Sequence, residues 1–205
     1  MSDLEQSTES KPTEGVPLYG DRSRALGLLR TSVSFLAVGV ILFLADSSPR
    51  RLLLGLPFIL VGEWFHSWGH GHLIKTKELI TSGPYAYTQN PLYLGRILMV
   101  TGFFIAIELP YHLERVLLAL AWAAFLGYYM PRKTRVEGRR LRSFHGAPWE
   151  EYNRSVPVLF PSLRPYSNSV GKPFSARVML GRNREYGMYL GLAITLAILA
   201  YKAFD

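Results

Sequence analysis

A chain of 205 residues, 49% hydrophobic, with a formal net charge of +8 and no cysteine, has the length of one domain. The missing thiols exclude disulfides, thiolate metal sites and a cysteine nucleophile. The apolar residues gather in long runs, which favours a membrane domain over a soluble one, and the positive excess fits anionic headgroups rather than nucleic acid, because no nucleic-acid motif accompanies it.

The first 20 residues, from MSDLEQSTES onward, are rich in Ser, Thr and Glu and lack the basic start and apolar centre of a signal peptide. They are expected to form a disordered tail, followed by a membrane domain over residues 21–205. Five apolar runs come next, at 25–45, 52–73, 92–109, 114–130 and 186–203. Each approaches the roughly 20 residues needed to cross a hydrocarbon layer of about 30 Å. The expected fold is all-α, an integral membrane bundle of five transmembrane helices. Glu63, His66, His70 and Arg96 fall within these runs and must face protein or a cavity rather than lipid.

Of the 23 Lys and Arg, 12 lie between Pro131 and Glu185. The positive-inside rule puts that segment in the cytoplasm, with the N-terminal tail and the loop 74–91 on the same side and Asp205 outside. Residues Pro131 to Phe144 read as a helix continuing the fourth run, with Lys133, Glu137, Leu141 and Phe144 along one face. The four prolines at 148, 157, 161 and 165 are expected to break regular helix beyond it. Gly187 and Gly191 form a G-x-x-x-G pair in the last run, a spacing that permits close helix contact. Trp64, Trp68, Trp122 and Trp149 read as packing or interfacial anchors. The oligomeric state stays open.

The loop TSGPYAYTQNPLYLGR, Thr81 to Arg96, holds two prolines and three tyrosines. Each proline restricts its own backbone and that of the preceding residue, so the loop is expected to be a rigid groove that can close against the basic segment. Tyr85, Tyr87, Tyr93 and Glu137, without a phosphate-binding glycine loop, suit a cationic ligand, because aromatic faces and a carboxylate both attract positive charge. A sulfonium is such a cation. Glu137 is the sole acid between Arg132 and Ser143.

A competing reading starts from Glu63, His66 and His70, which share one helical face with His72 close by and could ligate zinc or iron in a membrane hydroxylase or desaturase. With five histidines in the chain, one of them His112 at the opposite membrane face, no metal is assigned. A non-catalytic membrane adaptor is the third class.

The run GEWFHSWGHGHLIKTKELITSGPYAYTQNPLYLGR, Gly62 to Arg96, together with EGRRLRSFHGAPWEEYNRSVPVLFP, Glu137 to Pro161, resembles the isoprenylcysteine carboxyl methyltransferase and phospholipid methyltransferase group of integral membrane enzymes. The first stretch is similar to a pattern K-x-x-x-L-x-T-x-G-P-Y-x-x-x-R-H/N-P-x-Y-x-G, and the second to a Glu, a Leu four residues on, F-x-G, Tyr, V-P and a final F/I-P. The resemblance implies S-adenosylmethionine in a cytoplasm-facing pocket. His70, Lys77, Glu78, Leu79 and Ile80 would line one side, Tyr85, Asn90, Pro91, Leu92 and Tyr93 another, and Glu137 would close it. A basic residue one turn before that Glu would face the substrate: here Lys133, where Arg is usual, unless Arg132 or Arg140 turns inward. Departures also fall at His66, Gln89 and Gly138. The implied reaction is methyl transfer to a lipophilic acceptor, a carboxylate or an amino lipid.

Overall fold

The computed structural model describes residues 21–73, 79–170, 173–182 and 186–205. The expected tail at 1–20 and the candidate ligands Lys77 and Glu78 lie outside the described residues. The chain divides into two units, 1–40 and 41–205, with the boundary inside the first helix, α1 (Asp21–Leu44). The described part of the first unit is the beginning of α1, where Phe35 is exposed.

The second unit is mostly helical. A short strand β1 (Asp46–Ser47) leads into α2 (Pro49–His72). Ser48 caps α2 by accepting the Arg51 amide, and Pro49 in the first turn lacks a proton that would have gone unpaired there. Next come α3 (Pro91–Ala106), β2 (Ile107–Glu108) and α4 (Leu113–Ala124). A π turn at Phe125–Tyr129 joins α4 to α5 (Met130–His145), so the fourth apolar run continues into the basic helix as expected. The wide turn precedes Pro131, whose ring and missing N–H would disrupt an uninterrupted α-helix. The chain then forms α6 (Ala147–Ser155), a π turn at Val178–Arg182 and α7 (Tyr186–Phe204). Pro148 therefore begins a helix rather than breaking one, because it falls in the first turn of α6.

Antiparallel packing of α2 on α3 is built from glycines seven residues apart. A Cβ on Gly62 would fall 2.6 Å from the Gly95 carbonyl oxygen, one on Gly102 would fall 2.6 Å from that of Gly55, and Gly69 faces Leu92. The two backbones approach each other directly at these glycines, with no side chain between them. The G-x-x-x-G pair in α7 makes no such contact among the described residues, none of which stands within 4 Å of a Cβ at Gly187 or Gly191.

At one end of the bundle β1 pairs antiparallel with β2. Ala45, Ala106, Ile107, Leu109 and Leu199 form a buried cluster there, and Lys202 donates to the Ala45 carbonyl at 2.6 Å. The connection before α2, the connection after α3 and the end of α7 therefore share one end. The loop after α2, together with α5 and α6, occupies the other.

Among the described residues, Pro110–His145 and Tyr186–Phe204 are long and apolar enough to cross a membrane, and Ser32–Leu44 and Pro91–Ala106 are shorter apolar helices. Phe43, Leu53, Leu120, Leu190 and Tyr201 are exposed. Large apolar side chains on the outside of several helices are what an apolar solvent requires.

Candidate functional site

Gly83 sets the start of the loop. Its φ of +60° is a left-handed conformation that favours glycine, and a Cβ there would fall 2.5 Å from His72 Nε2. Pro84 then opens a 3-10 turn through Ala86, and Pro91 begins α3.

The loop is fastened to the chain after α5, as its rigidity suggested. Tyr152 donates its hydroxyl to the Tyr85 carbonyl at 2.8 Å, and Thr88 donates to the Leu159 carbonyl at 2.7 Å. The Gln89 side-chain amide donates to the Val156 carbonyl at 2.7 Å, and the Asn90 amide to the Val158 carbonyl at 2.8 Å. Three backbone bonds, from Gln89 N to Pro157 O, from Ser162 N to Tyr87 O and from Tyr166 N to Ala86 O, add to the attachment. Gln89 thus supplies donors to carbonyls left unpaired at the end of α6, a task that does not require a charge.

Between the loop and α5–α6 lies a cavity of about 590 Å³. Leu79 and Ile80 stand in its wall, as do Tyr85 and the α3 start from Asn90 to Tyr93. α5 contributes Lys133, Glu137 and Arg140. Residues from two sequence stretches some forty positions apart are thereby brought to one space. His70 is not in the wall: it is buried on α2 with its ring 4.5 Å from that of His66. Tyr87 turns to Trp68, with ring centroids 6.1 Å apart.

Lys133 pairs with Glu137 one turn on, and its ammonium stands 5.1 Å from the Tyr93 ring centroid. Burial, with the nearby guanidiniums of Arg140 and Arg96, holds the Lys133 pKa below the ordinary lysine range, while the Glu137 carboxylate opposes that shift. Burial pushes the hydroxyls of Tyr85 and Tyr152 up, so both remain protonated donors. Arg140 lies at the exposed rim, its guanidinium 5.8 Å from the Phe144 ring.

Thr134, Trp149 and Tyr152 also line the cavity, and none was singled out from the sequence as a ligand group. Tyr152 was legible as the Tyr of the second motif. Trp149 had no distinguishing signal, since a tryptophan near a membrane reads first as an anchor; in the fold it is buried with Tyr152 and Val156. Among the described residues, no three metal-ligating side chains converge. Glu63 instead accepts from Ser67 at 2.6 Å, and His66 Nε2 lies 3.4 Å from Arg96 Nε.

The family model described as phospholipid methyltransferase matches residues 34–138, a stretch that runs from α1 through Glu137. Over 123 residues the chain is 27% identical to the protein-S-isoprenylcysteine O-methyltransferase of Saccharomyces cerevisiae, covering 54% of this chain and 49% of that protein. Over 115 residues it is 33% identical to the cobalt-zinc-cadmium resistance protein CzcN of Cupriavidus metallidurans, covering 56% of this chain and 49% of that one. The chain thus spans about half the length of the curated relatives it matches. No solved structure matches. With just over half of its length matched by that model, the chain belongs to the phospholipid methyltransferase family.

Proposed function

We propose that the protein transfers a methyl group from S-adenosylmethionine to a lipophilic acceptor, at the cytoplasmic face of a membrane it crosses five times. The observation that carries this reading is the gathering of Tyr85, Tyr93, Glu137 and Lys133 around one cavity in a member of a methyltransferase family.

The lining fits the methyl donor. Glu137 offers a carboxylate and Tyr93 an aromatic face to its positive charge, while Tyr85 and Leu79 provide a wall for the adenosine part. When bound, S-adenosylmethionine supplies an electrophilic methyl group on a sulfonium. The chain then has to align the acceptor with that methyl and exclude water, and it needs no covalent intermediate. Lys133, or Arg140 from the rim, orients an acceptor carboxylate. An amine acceptor would also have to lose a proton.

Leu92, Leu141 and Phe144 make part of the wall apolar, which suits a lipid or prenyl tail. The metal-centred alternative is less well supported, because Glu63 is engaged by Ser67 rather than turned toward the histidine pair. The test is a methyl-transfer screen over prenylcysteines, amino lipids and small lipophilic acids with purified full-length chain. Transfer to at least one class is expected; bound iron or zinc with no transfer would favour the oxidative reading.

A further inference from the structure

A second cavity, of about 470 Å³, lies between α5 and α6 and adjoins the first, sharing Thr134, Gly138 and Trp149 with it. Arg135, Arg139 and Arg142 stand along α5 at spacings of four and three, on one stripe, and α6 adds Arg154. Glu150 is the one carboxylate in the described wall. It pairs with Arg142 at 3.0 Å, and its backbone carbonyl accepts from Arg154 at 3.2 Å. Arg139 donates to the Arg135 carbonyl at 3.3 Å. Arg135 and Arg139 therefore have no acidic partner among the described residues. Trp149 and Thr134, whose buried Oγ1 lacks a partner among the described residues, complete the wall.

We propose that this groove binds the headgroup of an anionic phospholipid. Its phosphate oxygens take the guanidiniums of Arg135 and Arg139 in paired hydrogen bonds, and the Thr134 hydroxyl donates a further one. A lipid is favoured over a soluble phosphate because α5 continues the apolar run of α4 and the π turn, whose last apolar residue is Met130, which puts Arg135 just over one turn beyond that run, at headgroup depth. Trp149 in the wall has the amphipathic ring that belongs at that level. The proposal does not depend on the methyl-transfer reading, since none of these arginines lines the first cavity.

Full-length protein in neutral detergent is mixed with phosphatidylglycerol or phosphatidylcholine of the same acyl chains, and retained lipid is counted by native mass spectrometry. One phosphatidylglycerol per chain is expected, with phosphatidylcholine at background. R135Q/R139Q should weaken retention about thirtyfold, from the usual contribution of two basic residues at an anionic surface. R135K/R139K, which keeps the charge and loses the paired hydrogen bonds, should fall between the wild type and R135Q/R139Q, and T134V, which alters no charge, should weaken retention several-fold. Equal retention of both lipids, or unchanged phosphatidylglycerol retention in both R135Q/R139Q and T134V, would overturn the proposal. Displacement of the lipid by millimolar inorganic pyrophosphate would overturn the lipid assignment in favour of a soluble phosphate.

Discussion

Lys133 and Glu137 neutralise each other across one turn of α5, inside the cavity that each was expected to serve in a different way. A cationic donor attracts Glu137, and an anionic acceptor attracts Lys133. Either ligand must therefore loosen the pair, and the second to arrive finds its partner already released. Removing the lysine frees the carboxylate. Lys133→Met is expected to bind S-adenosylmethionine up to about fivefold more tightly, the worth of a partly exposed ion pair, while raising the KM of a carboxylate acceptor. Calorimetric titration of the variant checks this; an unchanged or weaker donor affinity would show that Glu137 and the donor do not meet.

The depressed Lys133 pKa makes a prediction about pH. Burial and the neighbouring guanidiniums favour the neutral amine, so the ammonium is lost at a pH below the ordinary lysine value of 10.5. Turnover of a carboxylate acceptor should then fall as pH rises through that lowered value. Lys133→Arg should remove this alkaline limb, because a guanidinium stays charged there. A pH–rate profile with the same limb in both proteins would assign it to another group.

Close packing at the α2–α3 seam leaves no room for a side chain. Gly95→Leu, whose Cβ would begin 2.5 Å from the Gly62 carbonyl, should destabilise the protein by about 1–3 kcal/mol or more. Gly191→Leu, with nothing nearby among the described residues, should be close to neutral. Thermal unfolding in detergent followed by tryptophan fluorescence compares them.

The end shared by β1, β2 and Lys202 supports an alternating path through the membrane. Reporter fusions are expected to put Asp205 on the face opposite to α6 and the loop at Thr81, and Met1 on the same face as α6. Met1 and Asp205 on one face would show the count of five crossings to be wrong.

Much of the helical layout was legible because apolar runs of this length have few other solutions, and α5 followed from its spaced Lys133, Glu137 and Leu141. Of the residues read as ligand groups, Tyr85, Tyr93 and Glu137, whose chemistry comes with the residue type, do line one cavity. Cavity lining was not legible where phase or distant packing decides. His70 sits one residue past Gly69, whose missing side chain lets Leu92 close in, and its ring goes to His66 instead of the cavity. The α2–α3 seam was missed because its glycines recur every seven residues rather than every four, and one helix alone does not reveal the partner. Gln89 looked like a lost charge; its role as a hydrogen-bond donor to the end of α6 emerges only when that helix is in place.

The most direct test of the account is calorimetric binding of S-adenosylmethionine to detergent-purified wild type, Glu137→Gln, Tyr93→Ala and Tyr87→Phe. Saturable binding by the wild type is expected, with losses of about tenfold in the Gln and Ala variants, the scale of a charge-assisted contact or a cation–π contact in a desolvated pocket. Tyr87→Phe, whose ring faces Trp68, should bind like the wild type. If the wild type shows no binding, or if Glu137→Gln and Tyr93→Ala bind as tightly as it does while only their melting temperatures fall, the cavity between the loop and α5 is not the methyl-donor site.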